Sequence, residues 1–150
     1  MISGKLHTFK FFRSGSDRYL FSLGVSCLFI SLFLTTFYTS DNPLNGAWVL
    51  IIGWLGFVVF QFSWYANPLN LLALLFYSTR PLVAFLLSFL ALLLATQMFG
   101  FSEIPTGYAQ GKIFIKELGF GAYIWYVSQV VFFVLFASGY IKSCIKKTRL

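Results

Sequence analysis

Four long apolar stretches, separated by short polar segments, follow one another along the chain. A helix crosses the hydrocarbon core of a bilayer with about 20 apolar residues. The predicted spans are, in chain order, about residues 19–38, 47–79, 82–99 and 119–141. Because lipid offers the backbone no hydrogen-bond partners, such spans are expected to be helices. The pattern therefore predicts an all-α integral membrane protein, in which residues 1–150 form one domain, a four-helix transmembrane bundle.

The second stretch has an unusual length. As one straight helix, residues 47–79 would extend about 50 Å at ~1.5 Å per residue, whereas the hydrocarbon core is ~30 Å thick. Pro68 lacks a backbone donor and disfavours helical dihedrals at the preceding Asn67. We expect one long, tilted helix that is broken at Asn67–Pro68. The alternative is a span that ends near Trp64 and is followed by a re-entrant segment over residues 69–79.

Basic residues are distributed unequally between the two sides of these spans. One side carries nine basic residues and one acidic residue, namely Lys5, Lys10, Arg13, Arg18, Arg80, Lys142, Lys146, Lys147 and Arg149, with Asp17. The other side carries Lys112 and Lys116 with Asp41, Glu103 and Glu117. Since cytoplasmic loops are enriched in Lys and Arg, both termini are expected to face the cytoplasm.

Composition supports a membrane location and argues against nucleic acid as a partner. Hydrophobic residues make up 59% of the chain and charged residues 10%, whereas soluble domains carry about 25% charged residues. The net charge of +7 lies beside the spans, where it complements anionic lipid. The lipid bilayer is therefore the expected partner of these charges.

Polar side chains collect near the predicted break and in the last span. The predicted intramembrane cluster is Gln61, Ser63, Asn67, Asn70 and Gln129. Amides are costly in lipid, so they are expected to point into the bundle and to bond one another. Broken helices with polar residues are also how transporters build binding sites. No acidic or basic residue lies within the predicted spans, which disfavours a proton-coupled carrier.

Two further features concern packing and partner binding. Ala84, Ser88, Ala91 and Ala95 form a small-residue stripe on the third span, typical of close helix contact. The segment Gly100–Leu118 is the largest polar surface outside the spans, and part of it is compatible with a short strand. It is the candidate partner loop, and its charged residues are Glu103, Lys112, Lys116 and Glu117.

Two motifs resemble a family. Trp64-Tyr65-Ala66-Asn67-Pro68-Leu69, an apolar run and Arg80 resemble a pattern in small uncharacterised bacterial membrane proteins with a Trp-x-Ala-Asn-Pro-Leu motif. The Gly-rich entry of the fourth span, Gly119–Ser128, is similar to theirs. The resemblance covers about spans two to four and implies a multi-span protein of the bacterial inner membrane. It implies no activity.

No catalytic template fits the chain. The four acidic residues and the single histidine, His7, do not converge on an acid–base or nucleophilic set. We therefore expect no enzyme activity and no cofactor or metal. The preferred hypothesis is a non-catalytic interaction module that binds a membrane or envelope protein, as an accessory subunit or as a toxin-immunity-type protein, by analogy of architecture. The alternative is a small transporter or channel that uses the polar helix break.

Overall fold

The computed structural model describes residues 14–40, 42–105 and 112–148, which are mostly helical. The helices are α1 Gly15–Phe33, α2 Gly46–Ile52, α3 Ala66–Phe76, α4 Pro81–Thr96 and α5 Phe120–Thr148. Three 3₁₀ segments flank them, Gly53–Val59, Ser63–Tyr65 and Gln97–Gly100. Three helical stretches are long and apolar enough to cross a membrane, namely Gly15–Phe33, Pro81–Gly100 and Phe120–Thr148. His7, Lys5, Lys10, Arg13, Asp41 and Arg149 lie outside the described residues.

A small antiparallel sheet corrects the prediction of an all-α fold. Its strands are β1 Thr35–Thr39, β2 Leu44–Asn45, β3 Glu103–Pro105 and β4 Lys112–Leu118, in the spatial order β2-β1-β4-β3. The first helix consequently ends at Phe33 and not at Tyr38. Residues 35–39 are β-branched or aromatic, which favours a strand, and they pair with β4. The segment between α1 and α2 and the segment between α4 and α5 thus satisfy each other's backbone hydrogen-bonding groups.

The sheet packs over one end of the helices, here called the sheet end. Phe37 of β1 and Ile104 of β3 are buried with Met98 and Ala122, which lie at the end of α4 and the start of α5. The Gly119 N–H donates to the carbonyl of Thr36 at 2.8 Å. The sheet therefore determines where α5 begins.

The opposite end of the helices collects basic residues and is called the basic end. Lys142 of α5 lies 2.6 Å from the carboxylate of Asp17 in the first turn of α1. Tyr77, just after α3, packs so closely on Gly139 that a Cβ there would lie 2.5 Å from its ring. The start of α1, the end of α3 and the end of α5 therefore meet at this end.

Between these ends, α3 and α4 pack through small side chains. Ala66 is fully buried with Ala91 and Ala95, whereas Ala73 is buried with Ala84 farther along. This order shows that the two helices are antiparallel. Small residues let two helix backbones approach closely, as the stripe on the third stretch predicted.

The long second stretch is interrupted earlier than predicted, and the helix does not break at Asn67–Pro68. The chain turns at residues 60–62, where Phe60 takes a left-handed φ of 57°. Pro68 instead lies in the first turn of α3, where a missing N–H costs little because no partner within the helix is lost.

The apolar segment before that turn, Gly46–Val59, begins and ends at the sheet end. The Gly46 N–H bonds the Leu34 carbonyl beyond α1 at 3.0 Å. After the turn, the Gln61 side chain donates to the Glu103 carbonyl at 3.0 Å. We call Gly46–Val59 the returning segment. After the turn, α3 runs along α4 to the basic end. The alternative prediction placed its re-entrant segment, residues 69–79, in this part of the chain.

Candidate functional site

Three of the five predicted polar residues form one hydrogen-bonded group between α3 and α5. The Asn70 amide nitrogen donates to Gln129 Oε1 at 2.7 Å, and Gln129 Nε2 lies 3.4 Å from Asn67 Oδ1. The Trp125 indole N–H donates to the same Asn67 oxygen at 3.1 Å. We call Asn67, Asn70, Trp125 and Gln129 the amide network. The hydrogen bonds of this network link α3 to α5 and therefore stabilise the packing of these two helices.

Burial makes these bonds important for stability. Gln129 is 1% exposed and Asn70 is 7% exposed. A buried amide without partners loses the hydrogen bonds that water would supply. Within the described residues of the network, Asn70 Oδ1 is a buried acceptor without a hydrogen-bond partner. Most of the bonds of the network are therefore made among its own members, and they hold α3 against α5.

The remaining two predicted residues, Gln61 and Ser63, lie outside the amide network. Gln61 bonds the Glu103 carbonyl and joins the turn to β3. Ser63 is buried at the start of the next 3₁₀ segment. Ser63 does not share a helix face with Asn67 and Asn70, since the backbone before Ala66 is not α-helical.

A large cavity lies between the returning segment and the rest of the sheet end. It holds about 800 Å³ of empty space, including its open part. Its wall is mostly apolar and includes Leu28, Val49, Ile52, Met98, Phe101 and Ile104. Gln61, Ser63 and Asn67 contribute polar groups to the same wall, and no charged residue lines it. Sequence reasoning missed this cavity because its walls come from segments far apart in the chain.

Trp64 attaches the returning segment to the chain that follows. Its indole N–H donates to the Leu50 carbonyl at 2.8 Å, and its ring lies against Gly53, where a Cβ would overlap it. The Tyr65 hydroxyl donates to the Trp54 carbonyl at 3.1 Å. These bonds fold Gly46–Val59 back over Ser63–Tyr65 and close one side of the cavity.

The predicted partner loop is part of the sheet. Lys116 and Glu117 are exposed on β4, whereas Glu103 on β3 is half-buried; Lys112 opens β4. Tyr38 pairs with Glu117 across β1 and β4, and Phe114 pairs with Glu103 across β4 and β3. Both rings are exposed, at 46% and 57%. The sheet thus presents aromatic rings among charges, a surface that the loop prediction did not anticipate.

The Asp17–Lys142 pair is a second feature that the sequence did not reveal. Asp17 is fully buried and accepts from the Ser14 backbone N–H at 3.0 Å, completing a capping box. Lys142 Nζ also donates to Ser14 Oγ at 3.0 Å. The two residues are 125 positions apart, so no local pattern could have joined them. Their position at the helix ends indicates a structural role.

Within the described ranges, the side chains that could bind a metal ion do not form a cluster. No three His, Cys, Asp or Glu residues lie close enough there to hold a metal ion. Comparisons with protein families, curated proteins and solved structures find no match to this chain. The resemblance to small bacterial membrane proteins therefore stays a prediction.

Proposed function

We propose that this chain is a non-catalytic integral membrane protein whose sheet end recruits a membrane or envelope protein. The observation that carries the proposal is the sheet itself. The segment between α1 and α2 and the segment between α4 and α5 both contribute strands to it. The sheet exposes Tyr38, Phe114, Lys116 and Glu117 on neighbouring strands. Aromatic residues are enriched in protein interfaces, and charges around them orient the partner. An accessory subunit and a toxin-immunity-type protein would both use such a surface.

The proposed topology places this surface outside the cytoplasm of a bacterium, at the inner membrane. In this arrangement α1, α4 and α5 cross the bilayer, and the chain from Ser63 to Thr79, of which α3 is the central helix, makes a fourth crossing. The basic end faces the cytoplasm with both termini. Arg18, Arg80, Lys142, Lys146 and Lys147 all belong to helix ends there, as the excess of basic residues in cytoplasmic loops requires. The returning segment rests near the outer interface.

Exposed aromatic rings on the returning segment support that placement. Trp48 and Trp54 are exposed at 56% and 50%, and Phe60, directly after the segment, is exposed at 80%. Trp is enriched where hydrocarbon meets the headgroups. A segment of 14 residues that carries such rings and begins and ends at the sheet end suits an interfacial position.

The alternative function, a small transporter or channel, would use polar groups inside the helices. The bonds within the amide network favour a scaffold over a moving site. Transport would also require the network to open, at a cost of about 0.6–2 kcal/mol for each interhelical hydrogen bond. The proposed function needs no such opening.

Two variants separate the two functions. The first reverses the charges at Glu103, Lys112, Lys116 and Glu117. The second is Gln129→Leu, which removes part of the amide network. The readout is co-purification from native membranes after crosslinking, with the unaltered chain as reference.

We expect the unaltered chain to retain a stoichiometric partner and the four-charge variant to lose most of it, chiefly through slower association. Gln129→Leu should keep the partner wherever it folds. A fully functional charge variant beside a folded but inactive Gln129→Leu would overturn the interaction proposal and favour transport.

A further inference from the structure

We propose that the cavity at the sheet end binds a lipid-like molecule with one apolar chain and a neutral, hydrogen-bonding head group. The inference is independent of the proposed function, because none of the four charges of the partner loop lines the cavity. About 800 Å³ of empty space, the open part included, lies between its walls.

The walls favour hydrocarbon over water as the occupant. Protein interiors are close-packed, and an empty space of this size forfeits many contacts. A buried water needs two to four polar partners. Most of the wall consists of side chains such as Leu28, Val49, Ile52 and Met98, which offer none. An apolar chain would restore the missing contacts without requiring hydrogen bonds.

Five polar side chains line the cavity, and three of them, Gln61, Ser63 and Asn67, lie close together in the chain. These three define the head group. Ser63 is 7% exposed and lines the cavity together with Gln61 and Asn67. Hydroxyl and amide groups of this kind both donate and accept hydrogen bonds. They match a hydroxyl, which donates and accepts, or an ester, which accepts, and neither group carries a charge.

Because no charged residue lines the cavity, ionised ligands are disfavoured. Burying an ionised carboxylate or phosphate away from a cation is very costly. No Lys or Arg is among the lining residues. The site therefore suits a monoacylglycerol better than an ionised fatty acid of equal chain length.

The chain already carries the reporters needed for a test. Trp64 and Trp125 line the cavity, and bromine quenches tryptophan fluorescence on contact. The probe is a monoacylglycerol with a brominated acyl chain, added in increasing amounts to the full chain in bromine-free lipid nanodiscs. We expect saturable quenching. Quenching that rises linearly without saturation would show partition into the bilayer only and would overturn the proposal.

Two substitutions on α2 form a matched pair. Val49 lines the cavity, whereas Ile51 is 63% exposed and is not among the lining residues. Val49→Phe should raise the half-saturating concentration at least about tenfold by filling the space, and Ile51→Phe should leave it unchanged. Equal half-saturation in the two variants would contradict the assignment.

Ser63→Ala tests the polar side chains of the wall. It also provides a second test if Val49→Phe does not fold. Ser63→Ala should weaken the brominated monoacylglycerol several-fold but leave a brominated alkane of equal length unaffected. A brominated fatty acid, tested well above its pKa, should bind at least about tenfold more weakly than the monoacylglycerol. Equal or tighter binding of the fatty acid would overturn the neutral head group.

Discussion

Between α3 and α4 the side chains are small and fully buried, whereas the returning segment carries large rings and borders a cavity. Ala66 and Ala91 are fully buried in the first region. Trp54 of the returning segment and Phe60 directly after it are at least half exposed, and hydrogen bonds from aromatic side chains attach the segment. The first region is held by close packing. The second is held by a few hydrogen bonds beside a cavity, so added volume should destabilise the first region much more than the second.

The largest effect is expected where volume is added between α3 and α4. Ala91→Phe should lower the free energy of unfolding by about 3 kcal/mol or more, because overpacking a filled core costs about 1–3 kcal/mol and a ring far exceeds the available space. Leu90→Phe on the same helix, where Leu90 is 45% exposed, should change stability little. Denaturation in detergent checks both variants. Equal stability would show that this contact is not close-packed.

The next effect concerns the ion pair at the basic end. Lys142→Met leaves the fully buried Asp17 without its cation and should cost about 1–3 kcal/mol, less than a fully buried pair since the Lys142 side chain is 40% exposed. Lys146→Met, at an exposed position in the same helix, is the control and should cost almost nothing. Thermal unfolding of both variants checks the prediction, and adding Asp17→Asn to Lys142→Met should recover part of the loss. No recovery in that double variant would show that Lys142 acts through packing and not through its charge.

A smaller effect is expected in the amide network. Gln129→Leu removes its bonds to Asn67 and Asn70 and should cost about 0.6–2 kcal/mol, the scale of one or two interhelical bonds in a membrane protein. Val130→Leu, at an exposed neighbouring position, serves as control. Chemical unfolding in detergent measures the difference. A more stable Gln129→Leu would show that the amide is kept for a purpose other than stability.

The smallest effect is expected beside the cavity. Val49→Phe should change the free energy of unfolding by less than about 0.5 kcal/mol, because the ring enters space that is already empty. Thermal unfolding of this variant beside Ala91→Phe compares the two regions directly. A loss of similar size in both variants would show that the returning segment is as tightly packed as α3 and α4.

The sequence predicted the parts that local patterns control. The stripe of Ala84, Ser88, Ala91 and Ala95 is buried, because a helix places residues spaced by three and four on one face. Asn67, Asn70 and Gln129 bond one another, as the cost of leaving a buried amide without a hydrogen bond predicts. These inferences required only the helical period and the cost of burying a polar group.

The parts that were missed depend on contacts between distant residues. The sheet forms because β1 pairs with β4 far along the chain, and β1, which directly follows an apolar run, looks like the end of a span. The turn at residues 60–62 carries no proline or glycine, whereas Pro68, the obvious breaker, is tolerated in a first helical turn. The cavity lies between segments whose arrangement depends on both of these features.

The central claim is that the returning segment does not cross the bilayer, so that Asn45 and Phe60 lie on the same side. Single-cysteine variants at Asn45, Phe60 and Thr79, with Cys27 and Cys144 replaced by serine, test it with a membrane-impermeant maleimide on intact cells. All three target positions are exposed. We predict that the cysteines at positions 45 and 60 react from outside and that the one at position 79 reacts only after permeabilisation. A cysteine at position 60 that reacts only from the cytoplasmic side, or not at all, would contradict the account.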